Sequence, residues 1–561
     1  TNFTNSLLVG TDSTGTLDSA DGNTGVGTGV FGALTTGDNN VAVGLNALDV
    51  NTTGSKNVAV GCGSLDANTT GNNNTALGKD ALGLNTTAAN NTAVGYESLS
   101  KNTTGTGLTA IGQLALAENT TADDNTAVGR LALFENTTGA SNTAVGKSSL
   151  ICNTTGASNV AVGLSALQAN TTGCKNVALG FSAMAANTTS CENVAIGHCA
   201  LDTNTTGDFN VAIGTAALDK NTTANGNIGI GASALRCNTT GANNVSVGFV
   251  ALCKNTTGDE NTAVGAFGLT ANTTGTLNTA VGFGSLQANT TGSNNSALGC
   301  GSLQANTTAS SNTAVGIKAL CSNTTAARNV AIGQETLCTN TTGCCNVAVG
   351  AIALFKNSTG DNNVAIGTRS MQCNTTGDNN VAVGLCSLFC NTTGVNNTIV
   401  GFCGGDDVTT GNDNTLIGYN ATPNLSTGDN NVTIGDIGSF GSRLFNITTE
   451  DNRFLAGHTG ITNAYVKVAW TVTSDLRDKT NFGTVPHGLD FVNQLKPVSF
   501  QFKKSRENDT PTGDVRYGFK AQDILALEGD NPVIIDTEEP EFLKYKGEHL
   551  VPVLVNAIKE L

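Results

Sequence analysis

The chain has 561 residues and a formal net charge of −16, with 69 glycines, 7 prolines, one tryptophan and 12% charged residues. So few large side chains argue against the three or four ordinary globular domains that this length would suggest. The acidic balance and the lack of Lys/Arg runs argue against nucleic acid or anionic membrane as partners, and no apolar run is long enough to span a bilayer.

A seventeen-residue unit recurs along most of the chain without insertion or deletion, and its consensus is NTTGxxN[VT]A[VIL]Gxx[AS]Lxx. We number its positions from the opening Asn. Position eleven is glycine from Gly10 to Gly435, and position fifteen is Leu or Met from Leu48 to Leu388. The sequence begins in mid-unit and without a signal-peptide pattern, so we expect the natural chain to extend further toward its N-terminus.

Each unit is predicted to form one short β-strand. Positions eight and ten, such as Val160 and Val162, are apolar or Thr and flank a small residue, and this alternation predicts that both face the core. The Leu at position fifteen, such as Leu167, is expected to face inward from a second wall.

Corners are predicted at the glycines and asparagines of the unit. Gly156 and Gly163 permit a positive φ or a close approach of two walls, and Asn153 and Asn159 tolerate the left-handed region.

The constant spacing predicts that the units stack as coils of a solenoid. One coil buries about two aliphatic side chains, worth roughly 3–6 kcal/mol, whereas ordering seventeen residues costs on the order of 25 kcal/mol. Neighbouring coils, and several chains sharing a core, must therefore supply the remainder. At about 4.8 Å per rung the repeat would form a rod of roughly 125 Å.

Two resemblances support this architecture. The NVAIG and NTAVG strands resemble the head repeats of trimeric autotransporter adhesins, which form β-rolls. The longer pattern NTTGxxNTAVGxxAL, over about residues 17–441, is similar to repeats of phage-type tail fibre proteins. Together they imply a mainly β fold, a trimeric β-solenoid or β-roll rod over residues 1–441.

The composition changes after this shaft. Asn452 stands where the next position-eleven glycine would fall, so the register ends near residue 441. Residues 442–473 are predicted to form a β-rich neck that holds Trp470. Residues 474–561 are more charged, contain six of the seven prolines, and predict a small α+β domain with helices.

This last region resembles the intramolecular chaperone domain of endosialidase-type tail spikes and fibres, the S74 peptidase family. The resemblance rests on the SDLRDK segment that begins at Ser474, on YGFKAQD at 517–523, and on the closing LVPVLVNAIKEL. It implies a domain that trimerises, templates the folding of the fibre before it, and then cuts itself off. Family members continue into a coiled-coil helix after the closing motif, which here ends at Leu561.

The same resemblance implies a catalytic pair. Ser474 would be the nucleophile, Lys479 its general base, and Thr473–Ser474 the bond that is cut. A hydroxyl needs a base to attack a carbonyl at neutral pH, and a lysine can serve if burial lowers its pKa. The enzymatic activity would be at most a single-turnover autoproteolysis without a cofactor.

The sixteen cysteines all precede Gly404 and occupy only variable positions of the unit. Four pairs lie one rung apart, within the Cα separation of a disulfide, but parallel Cβ vectors hold the sulfurs slightly apart. We therefore favour stacked or interchain-facing thiols over disulfides, and the spacing does not suggest zinc. The pairs are Cys174/Cys191, Cys321/Cys338, Cys373/Cys390 and Cys386/Cys403.

The recurring NTT has the form of a glycosylation acceptor. A ladder of Asn and Thr turns is the interpretation we favour, and a flat hydroxyl array that binds ice is a third.

These features predict a homotrimeric tail fibre, located on a virion and extracellular, with a host cell-surface receptor and virion attachment proteins as partners. An alternative is a bacterial cell-surface adhesin or extracellular filament. A glycan-degrading tail spike ranks lowest, because it needs clustered carboxylates in a groove and the repeat shows only scattered Asp and few Glu.

Overall fold

A computed structural model describes residues 6–10, 18–435, 447–457, 474, 476–505, 508–538, 540 and 543–561. Contacts between Cα atoms divide the chain into two compact units, Thr1–Thr376 and Gly377–Leu561. The predicted domain borders at 441 and 473 fall outside the described residues, as does Trp470, and the domain boundaries stay predictions.

The first unit is a stack of parallel three-residue strands. Each strand occupies positions eight to ten of its coil and pairs in register with the strand seventeen residues away, as Val160 does with Val177. The predicted β-solenoid with seventeen-residue coils is thus confirmed. The strands are β1 Leu7–Val9, β2 Thr24–Val26, β3 Val41–Val43, β4 Val58–Val60, β5 Thr75–Leu77, β6 Thr92–Val94, β7 Thr109–Ile111, β8 Thr126–Val128, β9 Thr143–Val145, β10 Val160–Val162, β11 Val177–Leu179, β12 Val194–Ile196, β13 Val211–Ile213, β14 Ile228–Ile230, β15 Val245–Val247, β16 Thr262–Val264, β17 Thr279–Val281, β18 Ser296–Leu298, β19 Thr313–Val315, β20 Val330–Ile332, β21 Val347–Val349 and β22 Val364–Ile366.

The core of each coil is lined by position nine rather than by its larger neighbours. Ala161 and Leu167 are fully buried, whereas Val160 is 38% exposed. Position fifteen is therefore confirmed as inward-facing, and the prediction for positions eight and ten is wrong. The cause is the narrow space between the walls in the first unit: a methyl group added at Gly229 would lie 3.3 Å from Leu218 Cγ, so a small residue is accommodated best there.

The sharp corners also differ from the prediction. Positions six, thirteen and fifteen adopt the left-handed region, with φ of 60° at Ser158, 57° at Ser165 and 51° at Leu167. Gly163, with φ of 139°, confirms that position eleven needs a glycine, and its added Cβ would lie 2.3 Å from Gly180 O.

The asparagines form buried ladders instead of left-handed corners. Asn153 Nδ2 donates to Asn136 Oδ1 at 2.7 Å and to Gly156 O at 2.9 Å. At position seven, the Asn159 amide donates to Asn142 Oδ1 at 2.9 Å. Each carboxamide thus satisfies backbone groups that a buried coil would otherwise leave unpaired.

This ladder decides between the interpretations of NTT. Asn153 has no exposed surface, so its amide cannot accept a glycan in the folded coil. Thr154 Oγ1 donates to Thr171 O at 3.1 Å, and only Thr155 is exposed. The turn ladder is confirmed, and paired exposed hydroxyls, which the ice-binding hypothesis requires, are not present in this coil.

The second unit begins with coils of the same kind. Its parallel strands are β23 Val381–Val383, β24 Thr398–Val400, β25 Thr415–Ile417, β26 Val432–Ile434 and β27 Phe454–Ala456. The last coil contains more residues than the others. The Arg453 amide donates to Asn431 Oδ1, 22 residues before it, whereas the equivalent hydrogen bond in the other coils spans seventeen residues.

The rest of this unit is the predicted small α+β region. It contains a 3₁₀ turn Leu476–Asp478, α1 Leu489–Gln494, β28 Val498–Ser505, β29 Asn508–Gly518, α2 Ala521–Glu528, β30 Ile535–Asp536, β31 Lys544–Tyr545 and α3 Gly547–Glu560. Strands β28 and β29 pair antiparallel, as do β30 and β31. A small core is formed by Phe491, Ile524, Ile534, Ile535, Leu550 and Val553.

Two carboxylates fix this fold. Buried Glu528, at the end of α2, accepts the amides of Ile534 at 2.6 Å and Ile535 at 2.9 Å. Glu560, at the end of α3, accepts the Leu489 amide at 2.6 Å and so satisfies a free N–H at the start of α1.

Candidate functional site

The two side chains assigned to autoproteolysis lie on either side of the 3₁₀ turn Leu476–Asp478. The Lys479 amide donates to Leu476 O at 3.3 Å, which closes the turn. Lys479 Nζ then donates to Ser474 Oγ at 2.6 Å. A spacing of five residues therefore places an amine against the hydroxyl that it would have to deprotonate.

This pair is exposed in the single chain. A serine gives up its proton to a lysine only when the amine is neutral, and removal from water favours the neutral form. Ser474 and Lys479 are both exposed to solvent, so one chain does not supply that environment. Thr473 and the bond to be cut lie outside the described residues, and the catalytic roles stay predictions.

Helix α3 has two apolar faces, of which only one is used within the chain. Leu550, Val553 and Ala557 are buried against the domain core. On the other side, Val551 is 57% exposed and Ile558 is 73% exposed. Exposed Leu554 and Val555 lie between them, at helical spacings of three, four and seven residues.

The β28–β29 hairpin also presents apolar side chains to solvent. Phe502 and Val515 are exposed, and Tyr517 is 89% exposed. Arg516 stacks over the Phe502 ring with its guanidinium carbon 5.2 Å from the centroid.

The strands of the solenoid display an aliphatic stripe that continues from coil to coil. Position ten is Val, Ile or Leu throughout, and together with position eight it faces away from the coil interior. Leu77, Leu179 and Leu298 are among its most exposed members, at 47%, 45% and 50%. The stripe is the solvent face of one continuous parallel ladder within each unit, and an apolar face of this length is unusual for a surface in water.

The C-terminal region matches one protein-family model. Residues 474–531 fit the model of Peptidase_S74, described as the chaperone of endosialidase. The chain carries an S74 chaperone domain. The match begins at Ser474, the residue predicted to be the nucleophile, and it includes Lys479, the hairpin and α2. The comparison with curated proteins found no match.

The S74 domain and the solenoid together fit a protein of the tail fibre or tail spike type. The motif at 474–479 and the domain were predictable from the sequence. The aliphatic stripe was missed because an alternating strand has two faces, and the residues alone do not say which one points inward.

Other surfaces of the described residues offer little for catalysis. No group of three His, Cys, Asp or Glu side chains lies close enough in this part of the chain to hold a metal ion. A depression of about 370 Å³ is lined by Ser310, Ser311, Ala327, Arg328, Cys344 and Cys345, without a carboxylate. No helix within the described ranges is both long enough and apolar enough to cross a bilayer.

Proposed function

We propose that the protein is a structural tail fibre of a phage-type virus, in which three copies assemble into a rod under the direction of the S74 domain. The observation that carries this proposal is the order of the two parts: a long solenoid of uniform coils comes first, and a chaperone domain follows it. A rod of this kind supplies length and stiffness, which are what an attachment fibre requires.

The apolar surfaces support association of copies. Burying an aliphatic side chain stabilises an assembly by roughly 1.5–3 kcal/mol, and each coil offers a half-exposed Val, Ile or Leu at position ten. Because every coil repeats this contribution, the stripe favours side-by-side packing over its full length. The exposed faces of α3 and of the hairpin give the S74 domain its own surface for the same partners.

The chaperone role follows from the energetics of a coil. Besides its two ladder asparagines, a typical coil buries only an alanine, a leucine and a small residue at position fourteen, so the stack needs a nucleus before it can grow. An assembled S74 domain would hold three chain ends together beside the last coils. Arg453, next to β27, pairs with Glu538 of the S74 domain and provides one contact between the two parts.

Assembly would also complete the catalytic pair. Ser474 and Lys479 are exposed in one chain, and a neighbouring copy packed over the 3₁₀ turn would exclude water from them. Cleavage before Ser474 would then depend on correct assembly, releasing the S74 domain from a finished fibre.

We further propose that the fibre is part of an extracellular virion, anchored by virion attachment proteins and directed at a host cell-surface receptor. Receptor contact would use the variable positions of the coil. The strongest candidate is an aromatic cluster in which Phe267 lies edge-on to Phe249 and to Phe283, with centroids 5.5 Å and 5.6 Å apart. Two of these rings, Phe249 and Phe283, are exposed.

Mass measurement of the uncut protein tests the assembly. The Ser474→Ala chain should elute, in size exclusion with light scattering, at three times its monomer mass of 56.6 kDa. Placing Asp on the stripe at Val162, Leu179 and Ile196 should reduce the trimer fraction. The same substitution at Ala157, Cys174 and Cys191, which lie at position five and are also partly buried, serves as the control. A monomer that folds and remains soluble would refute the proposal.

Immunogold labelling distinguishes a virion fibre from a cell-surface adhesin. Antibody against the repeat should label the tails of particles. Labelling of the surface of uninfected cells, with none on particles, would instead support the adhesin.

A further inference from the structure

Two pairs of cysteines on adjacent coils have their sulfur atoms in contact. Cys174 and Cys191 both occupy position five, and their Sγ atoms are 2.6 Å apart. Cys321 and Cys338 both occupy position sixteen, with Sγ atoms 2.7 Å apart. A disulfide bond is about 2.0 Å long, so neither pair requires a rearrangement of the backbone to form one.

The first pair is oriented by a ladder that belongs to position five in general. The Ser55 amide donates to the Asn72 side chain in the next coil at 2.7 Å. In the same way the Cys174 amide donates to Cys191 Sγ at 3.0 Å. The ladder thus directs the Cys191 thiol along the stack, toward the preceding coil and its cysteine.

The second pair is held in a more enclosed place. Cys338 is only 9% exposed, and Cys321 Sγ also lies 3.3 Å from Cys338 O. A hydrogen bond from Cys338 lowers the pKa of Cys321 to about 6, and the Ser322 hydroxyl acts in the same direction. Because its pKa is lowered, Cys321 is the thiol of this pair that loses its proton first, and the thiolate is the form that attacks a disulfide.

We propose that Cys174–Cys191 and Cys321–Cys338 are modification sites at which a small-molecule disulfide links adjacent coils of one chain. At the second site, the Cys321 thiolate attacks one sulfur of the oxidant, and the S–S bond of the oxidant breaks to release a thiolate. The Cys338 thiol then loses its proton and attacks Cys321 Sγ, releasing a second small thiol. Two protein thiols are oxidised, and one small disulfide is reduced to two thiols.

This proposal reverses the sequence-based preference for unlinked thiols at these two pairs. The parallel Cβ vectors of a solenoid do not keep the sulfurs apart here, because the Sγ atoms of each pair are in contact. Each link closes a loop of one coil and would prevent that coil from separating from its neighbour.

Peptide mapping of the full chain tests the proposal. The reduced protein is treated with oxidised glutathione, free thiols are alkylated, and the chain is digested with trypsin without reductant. Cleavage after Lys147, Lys175 and Lys220 places Cys174 and Cys191 on separate peptides, and cleavage after Lys318, Arg328 and Lys356 does the same for the second pair. We expect both linked peptide pairs, each two hydrogens lighter than the sum of its peptides.

Exposed Cys62 and Cys300 are the matched controls, because no cysteine lies one coil away from either. Both should remain open to alkylation after glutathione is removed by a mild exchange. Cys191→Ser and Cys338→Ser should each abolish one link and leave the other intact. A 1:1 mixture of ¹⁵N-labelled and unlabelled chains should give only links within one isotope.

Three results would overturn the proposal. Cys174 and Cys338 could be alkylated as fully as Cys62 after oxidation. Glutathione could persist on Cys321 as a mixed disulfide that Cys338 does not displace. Links between labelled and unlabelled chains would show that the thiols join neighbouring copies instead of adjacent coils.

Discussion

One irregular coil allows the contribution of the position-seven asparagine ladder to be measured. In an ordinary coil, such as that of Asn176, the backbone amide donates to the side chain of the preceding position-seven residue, Asn159 Oδ1, at 3.0 Å. At Asn125 the preceding residue is Leu108, which is buried and has no acceptor. Among the described residues, the amide of Asn125 has no hydrogen-bond acceptor.

We predict that exchanging Leu and Asn at position seven moves the amide without an acceptor from one coil to another. Leu108→Asn should slow hydrogen exchange at the Asn125 amide, and Asn159→Leu should accelerate it at the Asn176 amide. A buried donor without a partner costs about 1–3 kcal/mol, which corresponds to about a fivefold to a hundredfold change in exchange rate. Total stability should change much less, because the buried leucine side chain contributes a similar amount of the opposite sign.

Residue-resolved hydrogen exchange with mass spectrometry measures both amides in one experiment. The amide of Thr126 should keep its rate, since it donates to Asn142 O at 2.8 Å in either variant. Equal exchange at Asn125 and Asn176 in the unmodified chain would refute the ladder argument. So would a change at Thr126 as large as the change at Asn125, because the effect would then be general loosening.

Three further predictions follow from the described geometry. Ser474→Ala and Lys479→Met should both leave a chain of full mass on a denaturing gel where the unmodified protein is cut. Thr484→Ala, in the exposed loop that follows, should be cut normally. An unmodified protein that stays at full length would disprove autoproteolysis. Ala161→Val should destabilise the coil by about 1–3 kcal/mol through overpacking, measured as a lower thermal midpoint. Val160→Ala, at the half-exposed position beside it, should lower the stability of a single coil by less. Equal losses of stability would contradict the narrow core. Alkylation of Cys321 should rise with pH through a midpoint near its pKa of about 6, because the thiolate exists above the pKa. Burial raises the pKa of Cys191 to about 11, so Cys191 should react only in more alkaline solution. Identical pH profiles for the two thiols would contradict the assignment.

Much of the fold was predictable because the repeat removes ambiguity. The constant spacing of glycine at position eleven predicted the coil length and the stack, and the Leu at position fifteen predicted one wall of the core. The S74 domain was predictable from the SDLRDK, YGFKAQD and LVPVLVNAIKEL segments together, and the approach of Lys479 to Ser474 from the first of them.

Two predictions were wrong, the one for the inward-facing residues of the strand and the one for the left-handed corners, and they share a physical cause. Val and Ala alternate at positions eight to ten, and hydrophobicity favours placing the valines inside. The coil is too thin for that, because a leucine at position fifteen already fills the space beside position nine, as Leu218 does beside Gly229. The left-handed corners were misplaced for a related reason: position fifteen must turn sharply to direct its leucine inward, and its φ of 51° at Leu167 has no signature in the residue type.

The outward-facing side chains at positions eight and ten give a reason, under the proposed function, for the S74 domain to follow the shaft. A solenoid that places its valines inside would satisfy itself and could fold as one chain. Here most coils bury only an alanine from their strand and leave Val, Ile or Leu at position ten half-exposed, so that apolar surface remains available for the proposed contact with a neighbouring copy. In the proposed assembly such a chain would gain stability on association, and before association its exposed apolar stripe would be prone to incorrect pairing. A domain that gathers the chains at one end, through the exposed faces of α3 and the β28–β29 hairpin, would set the register of the stripe before the coils close along it.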